Sequence, residues 1–182
     1  MVKLFDESYI KDMSGIRFIA NNTFHIEQSA VYKNIGECVK SVDFIRVKED
    51  KLVFLEAKTS FPNPDNACAG SYEKFQNEIV DICDKFIHSL NLFSAIEVGA
   101  KEEIFAVDFV LPKKVSLLFI LVVKNHESKW CRNIQTEFRS ALPKYVKKIW
   151  KPEVYVINEK TAINYCYAIA LYESGGIGNG KP

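Results

Sequence analysis

The sequence predicts an α/β fold in which helices flank a central sheet, and three of its segments carry this prediction. Residues 41–60 hold two short segments rich in β-branched and aromatic side chains, which are typical of strands, around a polar turn. Residues 71–93 repeat apolar side chains at three- and four-residue steps, the spacing of an amphipathic helix. Residues 115–124 are almost continuously apolar, as expected for a strand that is buried on both faces.

Length and composition indicate one globular domain. The chain has 182 residues, 48% of them apolar and 26% charged, which is enough for a single substantial core. We predict one domain over residues 1–174 and a disordered tail over residues 175–182, because the tail sequence GGIGNGKP has little to pack. No apolar run approaches the ~20 residues that a membrane-spanning helix needs, so no membrane partner is expected.

The cysteines indicate a reducing compartment. All five are widely spaced, their number is odd, and none forms a C-x-x-C pair. This pattern predicts free thiols in a cytoplasmic protein rather than a disulfide framework or a zinc site.

The region before residue 41 predicts several short elements. Residues 2–13 are expected to form a short helix that ends before Gly15. Residues 16–20 and 24–27 are expected to be strands around a turn. The next residues fit either an extended end or a helical turn that begins near Ser29.

The region after the hairpin begins with a proline-containing loop, residues 61–66, which cannot continue a central strand. This loop is expected to lie beside the end of the second hairpin strand, where it could contact a substrate. The helix over residues 71–93 follows. Residues 104–111 fit either a strand or a packed loop.

The last third of the chain predicts a second helix and further strands. Helical spacing extends over residues 130–148, where Pro143 is expected to kink or break the helix. Residues 153–157 and 165–171 are expected to be strands, with a turn at residues 158–161 between them.

The hairpin turn sets the register between the strand that precedes it and the strand that follows it. If residues 49–50 form the loop, Val47 lies opposite Leu52, and Asp43 then lies opposite Glu56. Residues directly opposite each other have Cβ atoms roughly 5 Å apart on the same face of the sheet. The spacing therefore predicts that the two carboxylates are neighbours.

Lys58 shares that face with Glu56, because residues i and i+2 of a strand point the same way. Two carboxylates with several waters suit Mg²⁺, especially when a substrate phosphate completes the shell of oxygen ligands. The alternative is a salt-bridged hairpin in which Lys58 neutralises Glu56 and Asp43.

The residues Asp43 and Glu56-Ala57-Lys58 resemble the core of the PD-(D/E)-x-K nuclease superfamily, which has the restriction-endonuclease-like fold. An acid on one strand is followed by acid-any-lysine on the next. The order of elements over residues 20–157 is also similar to the αβββαβ core of that superfamily, a mixed central sheet flanked by helices. Short segments such as HIEQS and FLEAKTSFPNP resemble the sequences of small uncharacterised bacterial members. Valine rather than proline precedes Asp43.

The resemblance implies a metal-dependent phosphodiesterase acting on nucleic acid, most simply a DNA endonuclease. Asp43, Glu56 and the Ala57 carbonyl would bind Mg²⁺ or Mn²⁺, and Lys58 would orient the attacking water and stabilise charge on the phosphate. Members often add a glutamate from an earlier element; Glu27 is our choice, and the alternative is Glu37.

Cutting both strands of a duplex often uses two such domains, so the resemblance also leaves room for a homodimer. The alternative function is a non-catalytic nucleic-acid-binding or assembly domain that retains the fold.

The charge of the chain is unevenly distributed. Residues 111–151 hold ten Lys and Arg side chains against two acids, a net charge of +8, although the whole chain has a net charge of +1. A basic segment of this kind predicts a surface for phosphate backbones, for which we choose Lys144, Lys147 and Lys148. The alternative is a helix with a solvated lysine face.

Overall fold

The computed structural model describes residues 10–19, 21–63, 70–105, 109–165 and 167–169. The predicted tail at residues 175–182, the first part of the predicted helix at residues 2–13, the end of the proline loop and the end of the last predicted strand lie outside these residues.

Eight strands and four α-helices make up the described fold. In chain order they are β1 (Ile10–Met13), β2 (Ile16–Ile19), β3 (Thr23–Phe24), α1 (Ala30–Ile35), β4 (Phe44–Lys48), β5 (Lys51–Lys58), α2 (Ser71–Glu97), β6 (Ser116–Val123), α3 (Ser128–Ala141), β7 (Glu153–Asn158), α4 (Glu159–Asn164) and β8 (Ala168–Ile169). Short 3₁₀ turns lie at Ile26–Gln28 and Gly36–Cys38, and a π-helical turn lies at Val146–Trp150.

The central sheet is mixed and has five strands in the order β3-β4-β5-β6-β7. Strands β3, β4 and β5 pair antiparallel, whereas β5, β6 and β7 pair parallel. Val47 lies opposite Leu52 and Phe44 opposite Leu55, so the predicted hairpin register is confirmed. Glu49 in the two-residue loop adopts a φ of 58°, which lets the tight turn close.

Both faces of this sheet are covered. On one face, the rings of Phe54, Phe119, Phe86 and Phe138 form a chain of contacts with centroid distances of 5.6, 4.9 and 5.1 Å, which joins β5 and β6 to α2 and α3. On the other face, a three-stranded antiparallel sheet, in the order β1-β2-β8, packs against the alternate side chains of β5 and β6 together with α4. The edge-to-face pair of Phe18 and Phe44, 5.3 Å apart, joins the two sheets.

The main helices and the buried strand are confirmed. Helix α2 extends four residues beyond the predicted end, to Glu97, and β6 lies between β5 and β7 in the sheet interior. Helix α3 ends at Ala141, directly before Leu142 and Pro143, so the predicted break occurs there. Ser29 begins α1 by accepting a 3.0 Å hydrogen bond at Oγ from the Tyr32 amide.

Three predictions of local structure are wrong. Residues 10–13 form strand β1 instead of helix, because they pair with β2. Residues 24–27 are strand only at Phe24, after which the chain turns into 3₁₀ structure. The predicted turn at residues 158–161 is the first turn of α4, because the Asn158 Oδ1 atom accepts a 2.9 Å hydrogen bond from the Thr161 amide and caps the helix.

The segment that the sequence left open is a packed loop in its described part. Phe105 and Phe109 stack on each other with centroids 5.0 Å apart, and Phe105 also packs edge-on against Phe24 at 4.9 Å. In the residues that the structure describes, no helix is long and apolar enough to cross a membrane. The described cysteines, Cys38, Cys83 and Cys131, carry free thiols.

Candidate functional site

The candidate site lies where β5 ends, under helix α2. Alternate residues of β5 face α2, and the last two of these are Glu56 and Lys58 rather than apolar side chains. They pair with Leu121 and Val123 in the parallel ladder, so they stand near the carboxyl edge of the sheet. Asp43 directly precedes β4 and lies beside the same end of β5. The hairpin thus brings the two acids together, as the sequence predicts.

Glu56 is a buried carboxyl group with one unsatisfied oxygen. Its side chain is only 3% exposed, and its Oε1 atom lies 2.6 Å from the Lys85 Nζ atom. The Oε2 atom is buried and has no hydrogen-bond partner. Burial, reinforced by the charge of Asp43, raises the pKa of Glu56 to about 7, although Lys85 and Lys58 oppose the shift. Such a carboxyl group favours either a proton or an added cation.

Asp43 is tied to the middle residue of the motif. Its Oδ2 atom accepts a 2.7 Å hydrogen bond from the Ala57 amide. Burial raises the pKa of Asp43, while the Ala57 amide and the charges of Lys85 and Lys58 act in the opposite direction. The Ala57 carbonyl oxygen accepts a 2.9 Å hydrogen bond from the Ser14 hydroxyl. A carbonyl oxygen has a second lone pair, so this contact is compatible with the predicted ligand role of Ala57.

Lys85 is the site residue that the sequence interpretation missed. It lies in the middle of α2, next to the apolar stripe, and its ammonium group neutralises Glu56. Burial alone would lower the pKa of Lys85, but the charge and hydrogen bond of Glu56 outweigh it, so the pKa is raised. A signal was present: Glu78, Asp81 and Lys85 are spaced along one helical face, as expected for a charged strip beside a core.

Lys58 is bound to helix α2 rather than to the two strand acids. Its Nζ atom lies 2.7 Å from Glu78 Oε1 and 3.9 Å from Asp81 Oδ2. Asp81 in turn lies 3.1 Å from Lys40, so the ion pairs continue along the helix. The salt-bridged hairpin that the sequence left as an alternative is therefore not formed by Lys58 in this structure; the partner of Glu56 is Lys85.

Glu27 lies close enough to influence the site. It stands in the 3₁₀ turn Ile26–Gln28, and its Oε1 atom accepts a 3.3 Å hydrogen bond from the Ser41 hydroxyl. The charge of Glu27 raises the pKa of both Asp43 and Lys85. The alternative acid, Glu37, lies in the turn Gly36–Cys38, and its side chain is outside the described part of the structure.

Carboxylates outnumber lysines in this cluster. The acids are Glu27, Asp43, Glu56, Glu78, Asp81 and Asp84, and the lysines are Lys40, Lys58 and Lys85. Within the described ranges, no group of three or more His, Cys, Asp or Glu residues is arranged to hold a metal ion. A cation here would therefore have two carboxylate ligands, Asp43 and Glu56, and would take others from water or substrate, which is a common arrangement for Mg²⁺. The unsatisfied oxygen of Glu56 fits this role.

An open cleft begins beside the site. The amide of Lys124, the residue after β6, donates a 2.9 Å hydrogen bond to the Lys58 carbonyl, and the cleft follows from Asn125. Its volume is about 370 Å³, and its lining includes Phe61, His126 and Trp130. The described part of the proline loop, residues 61–63, thus lies at this edge, and His126 bridges it to the end of β6 through a 3.1 Å contact with the Phe61 carbonyl.

The three predicted nucleic-acid-binding lysines lie elsewhere. Lys144, Lys147 and Lys148 stand in and before the π-helical turn, beside the beginning of β7, whereas the carboxylates stand at the end of β5. Because β5 and β7 are parallel, these positions are at opposite edges of the sheet. Lys147 also donates hydrogen bonds to the carbonyls of Arg139 and Ser140 at the end of α3. The structure therefore does not bring these lysines to the carboxylates.

Comparison of the chain with protein-family models, with curated proteins and with solved structures gives no significant match. The function of this site has to be inferred from its own geometry.

Proposed function

We propose that the protein is a metal-dependent nuclease that hydrolyses phosphodiester bonds in nucleic acid, with DNA as the expected substrate. The observation that carries this proposal is the Glu56 carboxyl group, which is buried next to Asp43 with one oxygen unsatisfied. An unsatisfied buried polar atom is costly, so its presence at the end of a strand favours a role in binding.

The order of elements supports the proposal. Three antiparallel strands, β3 to β5, precede the crossover helix α2 and the parallel strand β6. The resemblance implies an αβββαβ core; the succession β4, β5, α2 and β6 supports it, whereas helix α1 lies between β3 and β4 rather than before the first of the three strands. The motif lies at the end of β5, beside the start of β4, and this position supports the proposal.

Each residue of the site has a separate role in the proposed reaction. Asp43 and Glu56 would hold Mg²⁺ or Mn²⁺ with the Ala57 carbonyl, and the Ala57 amide keeps Asp43 in place. The bound metal would make water more acidic and offset the charge that develops on the phosphate. Glu27 adds negative charge beside Asp43 and would strengthen cation binding. A lysine beside the carboxylates would donate hydrogen bonds to the phosphate oxygens.

The test is a nicking assay on supercoiled plasmid in Mg²⁺ and in Mn²⁺, with EDTA as the metal-free control and single-stranded DNA and RNA as further substrates. Wild type should cleave only with metal, and Asp43→Asn and Glu56→Gln should each abolish cleavage. Nicked circles that appear before linear product would indicate a site that cuts one strand at a time. Simultaneous cutting of both strands would support a homodimer.

The second candidate is a binding domain without catalysis, and one observation favours it. Lys85 already neutralises Glu56, so the site can be electrically balanced without a metal. Salt-dependent binding of nucleic acid, without cleavage of any substrate in either metal, would establish this alternative.

A further inference from the structure

Two lysines border the carboxylates, and they are held in different ways. Lys58 belongs to the motif, but its ammonium group is paired with Glu78 and Asp81 on helix α2. Lys85 belongs to no recognised motif, but its ammonium group touches Glu56 at 2.6 Å. Each lysine is therefore bound by the other element: Lys58 on strand β5 pairs with acids of helix α2, and Lys85 on helix α2 pairs with Glu56 of strand β5.

We propose that Lys85, rather than Lys58, is the lysine that contacts the scissile phosphate in this protein. This inference rests on the proposed nuclease function and names a catalytic residue within it.

The anchoring of Lys58 is the first reason. Its nearest partner, Glu78, lies at 2.7 Å, and Glu78 is itself only partly exposed. Moving Lys58 to a phosphate would leave Glu78 and Asp81 without this cation, next to the other acids of α2. Lys58 is therefore suited to hold β5 against the helix.

The second reason is that a metal bound to Glu56 would displace the Lys85 ammonium group from it. In the described part of the chain, Glu56 is the carboxylate within 4.0 Å of the Lys85 ammonium group. A divalent cation on Glu56 would repel that ammonium group at close range. The Lys85 side chain is 21% exposed, so it has a path towards the open side of the site, where an anionic phosphate would receive it.

The chemistry balances without any further reactant. Water forms a new P–O bond, the bond from phosphorus to the leaving sugar oxygen breaks, and the proton lost by the water is balanced by the proton that the leaving oxygen gains. Lys85 donates hydrogen bonds to a non-bridging phosphate oxygen while negative charge accumulates there, and it is not consumed.

The test compares two matched variants, Lys85→Met and Lys58→Met, which remove one ammonium group each and retain most of the stem. Single-turnover cleavage in Mg²⁺ and DNA affinity in Ca²⁺ are measured for both. Lys85→Met should lower the cleavage rate roughly 10²- to 10³-fold, with DNA affinity changed less than about threefold. Lys58→Met should lower the rate less than about tenfold and should lower the thermal midpoint of unfolding instead.

Chemical rescue separates a catalytic role of Lys85 from a structural one. Lys85→Cys treated with 2-bromoethylamine regains an ammonium group at nearly the same position, and cleavage should return. Lys58→Cys treated in the same way is the matched control, and treated wild type corrects for the native thiols, of which Cys38 is exposed. If Lys85→Met does not fold, Lys85→Gln, which keeps a donor for Glu56, replaces it.

The outcomes distinguish this inference from the proposed function. If Lys85→Met still cleaves DNA and Lys58→Met does not, the inference about Lys85 is overturned, but the proposed nuclease function stands. Absence of cleavage by wild type, on DNA and RNA and with either metal, overturns both.

Discussion

The Oδ2 atom of Asp43 accepts a 2.7 Å hydrogen bond from the main-chain amide of Ala57, so an acid before one strand is fixed to the motif on the next. Ala57 is buried, and its amide would have no such acceptor in Asp43→Ala. We expect that variant to lose about 1–3 kcal/mol of unfolding free energy. Asp43→Asn keeps an acceptor oxygen and should lose less. Urea unfolding without metal measures both, and equal losses would contradict the role of this bond.

Divalent metal should stabilise the protein through Glu56. A ligand that binds only the folded state at 100 times its Kd adds about 2.7 kcal/mol. We expect Mg²⁺ or Mn²⁺ to raise the Tm of wild type and to leave the Tm of Glu56→Ala unchanged. Glu78→Ala, which removes an acid from α2 at the border of the same cluster, is the control and should retain the shift. A shift that persists in Glu56→Ala would exclude Glu56 as a ligand.

Stability should fall as pH rises, because the folded state raises the pKa of Glu56. The pKa increases from 4.5 to about 7, so the folded protein holds a proton that the unfolded chain has already released in this pH window. Wild type should therefore lose roughly 2–3 kcal/mol relative to Glu56→Gln between pH 4.5 and pH 7. Denaturant unfolding at pH 5, 6, 7 and 8 measures this difference. A difference that is constant over this range would show that Glu56 is ionised throughout.

Reversal of exposed charges should test the basic segment. Lys144 and Lys148 are exposed, whereas Lys147 caps α3 and would confound the measurement. We expect Lys144→Glu with Lys148→Glu to weaken binding of all DNA sequences alike and to reduce the log–log salt slope by about 0.9 for each phosphate that is no longer neutralised. Lys33→Glu, at an exposed position of α1, is the control. An unchanged slope in the double variant would mean that these lysines form only a solvated surface.

The sequence predicts the parts of the fold that depend on residues close together in the chain, such as the hairpin register and helix α2. The hairpin register follows from a two-residue loop and the strand period of two, and it places Glu56 beside Asp43. Helix α2 follows from its apolar stripe. The contact of Lys85 with Glu56 joins residues 29 apart on different elements, so only tertiary packing reveals it. The sequence does not predict helix α4, because Asn158 and the residues after it also fit a turn between two strands; the structure shows that Asn158 caps a helix instead.

The three-stranded sheet β1-β2-β8 has a consequence for the order in which the chain folds. Phe18 on β2 pairs with Ala168 on β8, 150 residues later in the chain. A chain emerging from the ribosome can form the hairpin of β4 and β5 early, but it cannot complete the small sheet until β8 has been synthesised. Pairings of such large sequence separation slow folding, since the long loop must close before the two strands can pair.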